Sequence, residues 1–313
     1  MKIVVFGGTG FIGKVLCQEL AGGDREIIAV GKKKNDHEFT EGWGFTRIPY
    51  TQGILHQQGD VENYEFVEKC LEGIDVVFNL VALSPLYQPR GGNKKHDEIH
   101  RMGTENIVRA AEKCGVKKMI HMSAVGANSN AETAYLRAKG DAEKIVKKSS
   151  LEWCIFRPSV VFGEGGEFIS FIKRIAPPYI TPLPGGGKMR FDPIWVKDLV
   201  DIIANFAGTD FESGQIFEIG GAEVMSMAEI TKTIHSAKGR SCAIIPIPMA
   251  MQKYLMAIAE VVPSVLLPFG NDQYKSLKLD PVAKGNDVKK LGKSKKGLMT
   301  LQFLLFFSSQ RSR

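Results

Sequence analysis

The chain lacks any regular spacing of cysteines. No two of its five cysteines form a Cys-x-x-Cys pair, and no cluster of histidines lies beside them. A disulfide framework or a zinc site needs such spacing, so we expect neither a disulfide scaffold nor a bound metal. Reduced thiols among apolar neighbours are typical of a cytoplasmic protein, which is the location we expect. The five thiols belong to Cys17, Cys70, Cys114, Cys154 and Cys242.

Long apolar runs are also missing. No stretch of 18 apolar residues occurs, so we expect no transmembrane helix. Lys2–Phe6 is typical of a strand rather than of an apolar leader, and we expect no signal peptide. Two shorter apolar stretches, Met249–Leu267 and Leu298–Phe307, are predicted to be amphipathic helices that pack on a core. Peripheral membrane attachment is the alternative for both.

Aromatic residues do not accompany the basic clusters. The formal net charge is +7, yet the lysine clusters carry none of the interleaved aromatic side chains that a nucleic-acid platform uses. We therefore expect a lysine-rich surface and no nucleic-acid partner. A mildly basic site would also suit a smaller anion such as a dinucleotide.

What the chain does have is an alternation of strand-like and helix-like segments in its first half. The strand-like segments are short, β-branched and almost continuously apolar, as buried parallel strands are. This alternation predicts an α/β fold with a doubly wound parallel sheet. The predicted strands are Lys2–Phe6, Glu26–Val30, Val76–Leu80, Lys118–Met122 and Trp153–Arg157. The predicted helices are Phe11–Leu20, Tyr64–Leu71, His100–Cys114 and Ala134–Lys148.

The alternation gives way to glycine- and proline-rich turns after about residue 160. Helices are predicted at Lys197–Phe206 and Met227–Ala237, with a strand at Gln215–Ile219 between them. We therefore divide the chain into a dinucleotide-binding domain at 1–160, to which some later segments return, and a smaller substrate region at 161–313 that closes over the cofactor.

A glycine motif follows the first strand. Gly7 permits the tight turn off the strand, Gly10 lets the backbone approach a pyrophosphate, and Gly13 lets the following helix pack on the sheet. The pyrophosphate would lie on the helix N-terminus, where free N–H groups favour an anion. This strand–turn–helix context predicts a Rossmann dinucleotide site. The predicted contacts from this turn are Gly7, Thr9, Gly10, Phe11, Ile12 and Gly13.

The residues after the second strand indicate which dinucleotide is bound. A carboxylate at this point would bond the ribose 2′-OH of NAD, but here Gly31 is followed by Lys32 and Lys33, and no carboxylate occurs before Asp36. A small residue followed by lysines suits the 2′-phosphate of NADP. NADP is therefore the predicted cofactor, with NAD as the alternative and a solvated lysine loop as the non-functional interpretation.

Further motifs follow in order along residues 1–240. They are Gly59-Asp60-Val61, Asn79-Leu-Val-Ala82, Gly103-Thr-Glu-Asn106, Tyr135-Leu-Arg-Ala-Lys139, Arg157-Pro-Ser-Val-Val-Phe-Gly163 and Pro193-Ile-Trp-Val-Lys-Asp198. Together with the glycine motif, they resemble the extended short-chain dehydrogenase/reductases, the NAD-dependent epimerase/dehydratase family. The resemblance implies that Asp60 meets the adenine and that residues 80–82 lie under the ribose. The cofactor-binding residues so implied are Asp60, Val61, Leu80, Val81, Ala82, Tyr135, Lys139, Pro158 and Val160.

The resemblance also implies a catalytic set of Ser123, Tyr135 and Lys139. The tyrosine hydroxyl moves the proton while the nicotinamide moves the hydride, and a nearby ammonium lowers the tyrosine pKa. Tyr135 and Lys139 are four residues apart, so a helix places them on one face. Ser123 would hold the substrate oxygen against Tyr135. No catalytic role is predicted for His100 or for His121, which we expect to be a hydrogen-bonded buried histidine.

Within that family, the chain most resembles the branch of the nucleotide-binding accessory subunit of respiratory complex I. The segments 123–127, 134–139, 158–163 and 185–191 carry this resemblance. Only eleven residues separate Ser123 from Tyr135, and the resemblance implies that some members with such a short loop do no chemistry. A non-catalytic NADP(H)-binding accessory or assembly protein of a respiratory NADH dehydrogenase complex is therefore the alternative function. A sensor of the NADP/NADPH ratio is a weaker third one.

The leading hypothesis is an NAD(P)-dependent oxidoreductase or epimerase/dehydratase. Its substrate would be a small anionic molecule, phosphorylated or linked to a nucleotide. The loop Ser84–His96 follows a strand of the sheet, and its Lys94 and Lys95 either meet this anion or belong to an ordinary surface loop. Peripheral association with a respiratory complex and self-association both stay open.

Overall fold

The computed structural model describes residues 1–32, 53–86, 89, 91–208, 210–248, 272, 275 and 279–310. The predictions made for Lys33, for Asp36 and for the apolar stretch Met249–Leu267 lie outside these residues.

A seven-stranded, all-parallel sheet forms the centre of the protein, in the order β11-β6-β5-β4-β1-β2-β3. In chain order, the strands are β1 (Lys2–Phe6), β2 (Glu26–Gly31), β3 (Ile54–Gln58), β4 (Val76–Asn79), β5 (Lys118–Met122), β6 (Glu152–Pro158), β7 (Val161–Phe162), β8 (Tyr179–Pro184), β9 (Arg190–Phe191), β10 (Ile194–Trp195), β11 (Gln215–Ile219), β12 (Met225–Ser226) and β13 (Cys242–Ile247). The predicted doubly wound Rossmann fold is thereby confirmed.

Nine α-helices are described. They are α1 (Phe11–Leu20), α2 (Tyr64–Leu71), α3 (Lys94–His96), α4 (Gly103–Lys113), α5 (Ala134–Lys148), α6 (Glu167–Ile175), α7 (Val196–Ala204), α8 (Met227–Ser236) and α9 (Leu301–Gln310). A π-helical turn, Asp97–Met102, joins α3 to α4. Short 3₁₀ turns occupy Gly185–Gly187, Asn205–Ala207, Asp287–Lys289 and Lys295–Gly297. The helix predicted at His100–Cys114 thus begins earlier than expected and contains a π turn.

The central strand β1 shows why these residues form a buried sheet. Ile3, Val4, Val5 and Phe6 are all fully buried, because β1 pairs on both edges and is covered on both faces. Successive side chains point to opposite faces. Ile3 and Val5 pack in one apolar cluster with α1 and α7, whereas Val4 and Phe6 pack in another with α2 and α4.

The order of the strands reverses at β1. The chain passes from β1 to β2 and β3 on one side and then returns to β4 on the other side. In such sheets, the ligand crevice lies outside the carboxyl ends of the strands at this reversal. The ends of β1 and β4 therefore mark where a dinucleotide would bind.

Residues beyond 160 contribute both to the main sheet and its helices and to a third apolar cluster. Strand β11 returns to the main sheet beside β6, and α7 packs on α1. The remaining helices form a third apolar cluster that includes Phe168, Ile230, Leu301 and Leu305. The prediction of a core-docked helix near Leu298–Phe307 is confirmed for Leu301 and Leu305. Among the described residues, no helix is both long and apolar enough to cross a membrane.

Candidate functional site

The turn after β1 has the geometry that a pyrophosphate site requires. Gly7 has φ +82°, and a Cβ there would lie 2.9 Å from the carbonyl of Leu80. A Cβ on Gly13 would lie 2.1 Å from the Gly7 oxygen. Gly10 caps α1 without any side-chain hydrogen bond, so the amides of the first helical turn can still bind an anion. The three glycines predicted for dinucleotide binding thus form a cradle that side chains would fill.

The other predicted residues of this turn face neighbouring elements. A Cβ on Gly166 would lie 2.8 Å from the Phe11 ring, which therefore packs against the substrate region. Ile12 packs on the apolar cluster beneath α1. A Cβ on Gly31 would lie 1.9 Å from Thr9 Oγ1, so no carboxylate fits at the end of β2 while Thr9 keeps its place.

The predicted adenosine end carries a small charge network. Lys32 Nζ lies 2.6 Å from an Asp60 carboxylate oxygen and 3.4 Å from Glu62. Burial opposes ionisation of Asp60, but the Lys32 ammonium outweighs it and holds the pKa of Asp60 below its usual range. Val61 is buried, and its carbonyl accepts a hydrogen bond of 2.9 Å from Asn106 Nδ2. Asp60 and Lys32 therefore lie together at the carboxyl edge of β2 and β3.

The end of β4 is fixed by an asparagine. Asn79 Oδ1 accepts from the Val81 amide at 3.2 Å, and its Nδ2 donates to Thr104 Oγ1 at 3.0 Å. These bonds hold residues 80–82 next to the glycine turn, with the Leu80 carbonyl against Gly7. The predicted ribose-binding segment thus adjoins the predicted pyrophosphate turn.

Tyr135 and Lys139 both lie on α5, whose N-terminus is capped by the Thr133 side chain. Lys139 Nζ donates to the carbonyls of Met122 at 2.7 Å and Val81 at 3.3 Å, which places it between the ends of β5 and β4. Burial lowers the pKa of Lys139 to about 7 and raises the pKa of Tyr135 to about 12. The Lys139 ammonium is thus buried and the Tyr135 ring half-buried, and both lie at the crevice of the sheet.

Ser123 has a partner that the sequence did not suggest. Its hydroxyl donates to Glu143 Oε1 at 2.6 Å, and both residues are buried. Arg157 holds both oxygens of the same carboxylate, with Nε at 2.7 Å and Nη2 at 2.6 Å. In the described part of the chain, the Ser123 proton is therefore directed at Glu143 and not at Tyr135.

Pro158 and Val160 connect the sheet to the substrate region. The Pro158 carbonyl accepts from the Val125 amide at 3.0 Å, and the Val160 carbonyl accepts from the Ile194 amide at 2.9 Å. In α3, Lys95 Nζ binds Glu62 at 2.8 Å. The ammonium groups of Lys95 and Lys32 are therefore both paired with carboxylates.

Sequence reasoning missed two histidines beside the tyrosine. The rings of His96 and His100 stack at 5.6 Å between centroids, and both meet the Tyr135 ring edge-on, at 5.7 and 5.3 Å. Their i, i+4 spacing was the available signal. The expectation for His121 is wrong within the described residues, because neither of its buried ring nitrogens has a hydrogen-bond partner.

No group of three or more His, Cys, Asp or Glu side chains that could hold a metal occurs among the described residues. The five cysteines are free, with Cys17, Cys70 and Cys154 buried. The glycine cradle, the open N-terminus of α1 and the tyrosine–lysine pair fit a nicotinamide dinucleotide.

Comparison with known families agrees with this geometry. The model of the NAD dependent epimerase/dehydratase family matches residues 3–220, more than half of the chain. The protein belongs to this family.

The curated relatives of this family member include both respiratory subunits and a sugar-nucleotide epimerase. NADH dehydrogenase (ubiquinone) 1 alpha subcomplex subunit 9, mitochondrial, of Arabidopsis thaliana is 26% identical over 91% of the chain and 71% of that relative. The NADH-ubiquinone oxidoreductase 40 kDa subunit of Neurospora crassa is 24% identical over 74% of the chain but only 58% of its own length. UDP-glucose 4-epimerase of Vibrio cholerae is 24% identical over 79% of each chain.

Solved structures of low identity share the fold. MoeE5 in complex with UDP-glucuronic acid and NAD superposes with a TM-score of 0.73 at 18% identity, over the whole of both chains. The dTDP-glucose 4,6-dehydratase DesIV of Streptomyces venezuelae, with NAD bound, has a TM-score of 0.70 at 16% identity, covering 99% of this chain and 96% of that one. At these identities, the likeness concerns the fold alone.

Proposed function

We propose that the protein is an NAD(P)-dependent oxidoreductase or epimerase/dehydratase that acts on a small anionic substrate, a nucleotide-linked sugar. The observation that carries this proposal is the intact Tyr135–Lys139 pair, with a half-buried phenol and a buried ammonium at the carboxyl ends of β4 and β5. Lys139 by itself would suffice to hold a ribose, so it is the phenol of Tyr135 beside it that favours proton transfer over storage of a dinucleotide. The relatives named as UDP-glucose epimerases support the substrate class.

Each part of the site has a role in this proposal. Gly7, Gly10 and Gly13 receive the pyrophosphate on the N-terminus of α1, and Asp60 meets the adenine. The bound cofactor supplies the hydride chemistry. Lys139 holds the nicotinamide ribose and, when charged, lowers the pKa of Tyr135 from its raised value so that the phenol can exchange a proton with the substrate oxygen.

NADP is the proposed dinucleotide. While Thr9 keeps its place, a side chain at Gly31 would collide with Thr9 Oγ1, which disfavours the carboxylate that would bond an NAD ribose. Lys32 is the described cation nearest the end of β2 in sequence, although it is already paired with Asp60. A 2′-phosphate would compete with that carboxylate for the Lys32 ammonium.

The test combines binding with turnover in two proteins. Wild type and Tyr135→Phe are titrated with NADPH and NADH by fluorescence. Both are then incubated with NADP or NAD and UDP-glucose or dTDP-glucose and assayed for net cofactor reduction, which reports an oxidoreductase, and for conversion of the sugar nucleotide, which reports an epimerase or dehydratase that returns the hydride to its substrate. We expect tighter binding of NADPH, little change of affinity in Tyr135→Phe, and at least a hundredfold loss of turnover in that variant. If wild type binds neither nucleotide, the proposal is wrong.

A second function is favoured by specific observations. The relatives named as NADH dehydrogenase subunits align with most of this chain, and the Ser123 hydroxyl is occupied by Glu143. Both would suit a non-catalytic NADP(H)-binding accessory or assembly protein of a respiratory complex. Tight NADPH binding, with no turnover in wild type, would favour this alternative. Cytoplasmic location, peripheral association and self-association stay predictions.

A further inference from the structure

Three buried histidines surround the reactive pair. His96 lies in α3, His100 in the π turn, and His121 on β5; each is 1% exposed. The two helical histidines stack on each other and present their rings to Tyr135. π turns inside α-helices are frequent at functional sites. The cluster thus forms one wall of the site that contains the tyrosine–lysine pair.

Several nitrogens of this cluster have no partner. Within the described ranges, His96 Nδ1, His100 Nδ1 and both nitrogens of His121 are buried without a hydrogen bond. Leaving buried polar atoms unpaired costs stability, and native proteins keep such atoms where a ligand or an ordered water satisfies them. Their concentration beside Tyr135 points to a ligand atom at this wall.

The protonation of His100 follows from its surroundings. Burial first, and then the charges of Lys139, His96 and His121, hold the pKa of His100 well below its usual value, so the ring is neutral. The Leu83 amide donates to His100 Nε2 at 3.4 Å, which makes Nε2 an acceptor. A neutral imidazole that accepts at one nitrogen carries its proton on the other. The Val81 carbonyl also faces the ring, and a donor role for His100 requires the tautomer in which Nε2 accepts from Leu83 and the unpartnered Nδ1 carries the proton.

Among the residues that the structure describes, the proposed site lacks a hydrogen-bond donor to the substrate oxygen, and His100 Nδ1–H would supply one. The residue expected to hold the substrate oxygen, Ser123, gives its proton to Glu143. We propose that His100 replaces it, donating a hydrogen bond from Nδ1–H to the same substrate oxygen that exchanges a proton with Tyr135. The inference rests on the proposed function and adds to it a catalytic residue of neutral, electrophilic type.

The chemistry balances without a change of charge on His100. With the dinucleotide bound, an alcohol oxidised here would give its O–H proton to the ionised Tyr135 oxygen and its C–H hydrogen, with the electron pair, to the nicotinamide, as its C=O bond forms. In the reverse direction, negative charge develops on the carbonyl oxygen, and a fixed donor stabilises it most in the transition state. His100 keeps its own proton throughout.

Two substitutions of His100 distinguish a hydrogen-bond donor from a side chain that only fills space. In His100→Asn, the side-chain amide nitrogen can stand near the place of Nδ1, whereas in His100→Gln it reaches the place of Nε2. With NADP and UDP-glucose or dTDP-glucose, we expect His100→Gln to lose about a hundredfold to a thousandfold in kcat, the usual cost of one such donor. We expect His100→Asn to stay within about tenfold, and the control His56→Asn, at an exposed histidine of β3, to be unchanged. Equal losses in Asn and Gln at His100, or no loss in either, would overturn the inference.

A second measurement needs no turnover. Long-range ¹H–¹⁵N NMR of histidine-labelled full-length protein reports which nitrogen of His100 is protonated, and the His100 variants assign its signal. We expect the Nδ1–H form between pH 6 and 8, with a shift of that proton when NADP and UDP-glucose are added together. An Nε2–H form, directed at the Val81 carbonyl, or the absence of a shift, refutes the His100 role. Absent NADPH binding in wild type instead marks failure of the proposed function.

Discussion

Replacing Glu143 by glutamine tests whether the buried network behind the candidate site stabilises it. The Glu143 carboxylate accepts from Ser123, directly after β5, and from two nitrogens of Arg157 on β6, and it belongs to α5, one turn after Lys139. It is 1% exposed. Any weakening of this network therefore acts on the helix that carries the tyrosine–lysine pair.

The size of the destabilisation depends on the groups that remain after the substitution. Glutamine keeps the shape of the side chain but removes the charge, and it turns an NH₂ group toward one of its donors. Breaking a buried pair by removing one partner costs about 3–5 kcal/mol. Arg157 is partly exposed and keeps a second carboxylate, Glu218, at 3.5 Å. We therefore expect Glu143→Gln to lower the free energy of unfolding by about 3 kcal/mol, the lower end of that range.

The pKa of Glu143 determines how the stability difference between wild type and variant changes with pH. Burial alone would raise the pKa of Glu143, but the Arg157 and Ser123 hydrogen bonds outweigh it, so the folded pKa lies below the ordinary value of 4.5. A depressed carboxyl pKa stabilises the fold above the unfolded value, and this stabilisation is lost as pH falls through the folded value. The difference between wild type and variant should be constant from pH 6 to 8 and shrink below about pH 4.5.

Urea unfolding measures this difference, with Lys147→Ala as the matched control. Lys147 contacts the same carboxylate at 3.3 Å, but its side chain is 37% exposed, so its removal should cost under about 1 kcal/mol. A loss below about 1 kcal/mol in Glu143→Gln, or a difference that does not shrink in acid, would refute the reasoning.

Three further substitutions test the cofactor site and the buried amine. Gly13→Ala should weaken NADPH binding at least tenfold, because its Cβ would meet the backbone of the glycine turn, whereas Gly297→Ala, with no atom near its Cβ, should bind normally in fluorescence titration. Lys32→Ala should weaken NADPH binding about tenfold more than NADH binding; equal losses would contradict NADP preference. Burial lowers the pKa of Lys139 from 10.5 to about 7. Between these two pH values only the unfolded chain binds the proton, so the free energy of unfolding of wild type rises with pH, by at most about 1.4 kcal/mol per pH unit. Lys139→Met should lack this rise when unfolding is compared at pH 7.5 and 9.5, and a rise of the same size there would contradict burial of a neutral amine.

The sequence predicted best the parts of the fold that periodicity controls. Helices Phe11–Leu20 and Ala134–Lys148 have the predicted bounds, because each combines an apolar face with a clear start and end. Strand β3, Ile54–Gln58, was missed, since an edge strand with only two apolar residues lacks a buried pattern. The pairing of β8 with β13 was missed as well, because prolines interrupt both strands and their contact spans about sixty residues.

The site was predictable where its residues share one element. Tyr135 and Lys139 are one helical turn apart on α5, and the spacing alone brings them together. The partner of Ser123 lies twenty residues away on that helix, and only the assembled sheet shows that Glu143 faces it. His96 and His100 depend in addition on a π turn, whose register no sequence pattern indicated.

The short loop between Ser123 and Tyr135 bears on the choice between the two functions. A Cβ on Gly140 would lie 2.4 Å from the carbonyl carbon of Asn128, so the loop backbone lies directly against α5 at the residue after Lys139. The Asn128 amide also donates to the Leu136 carbonyl at 3.2 Å, inside the first turn of α5. The short loop is thus accommodated by close backbone contact with α5, and Tyr135 and Lys139 stay at the crevice of the sheet. Because a rigid frame around a proton-transferring tyrosine assists chemistry, this loop favours the enzymatic function over the accessory one.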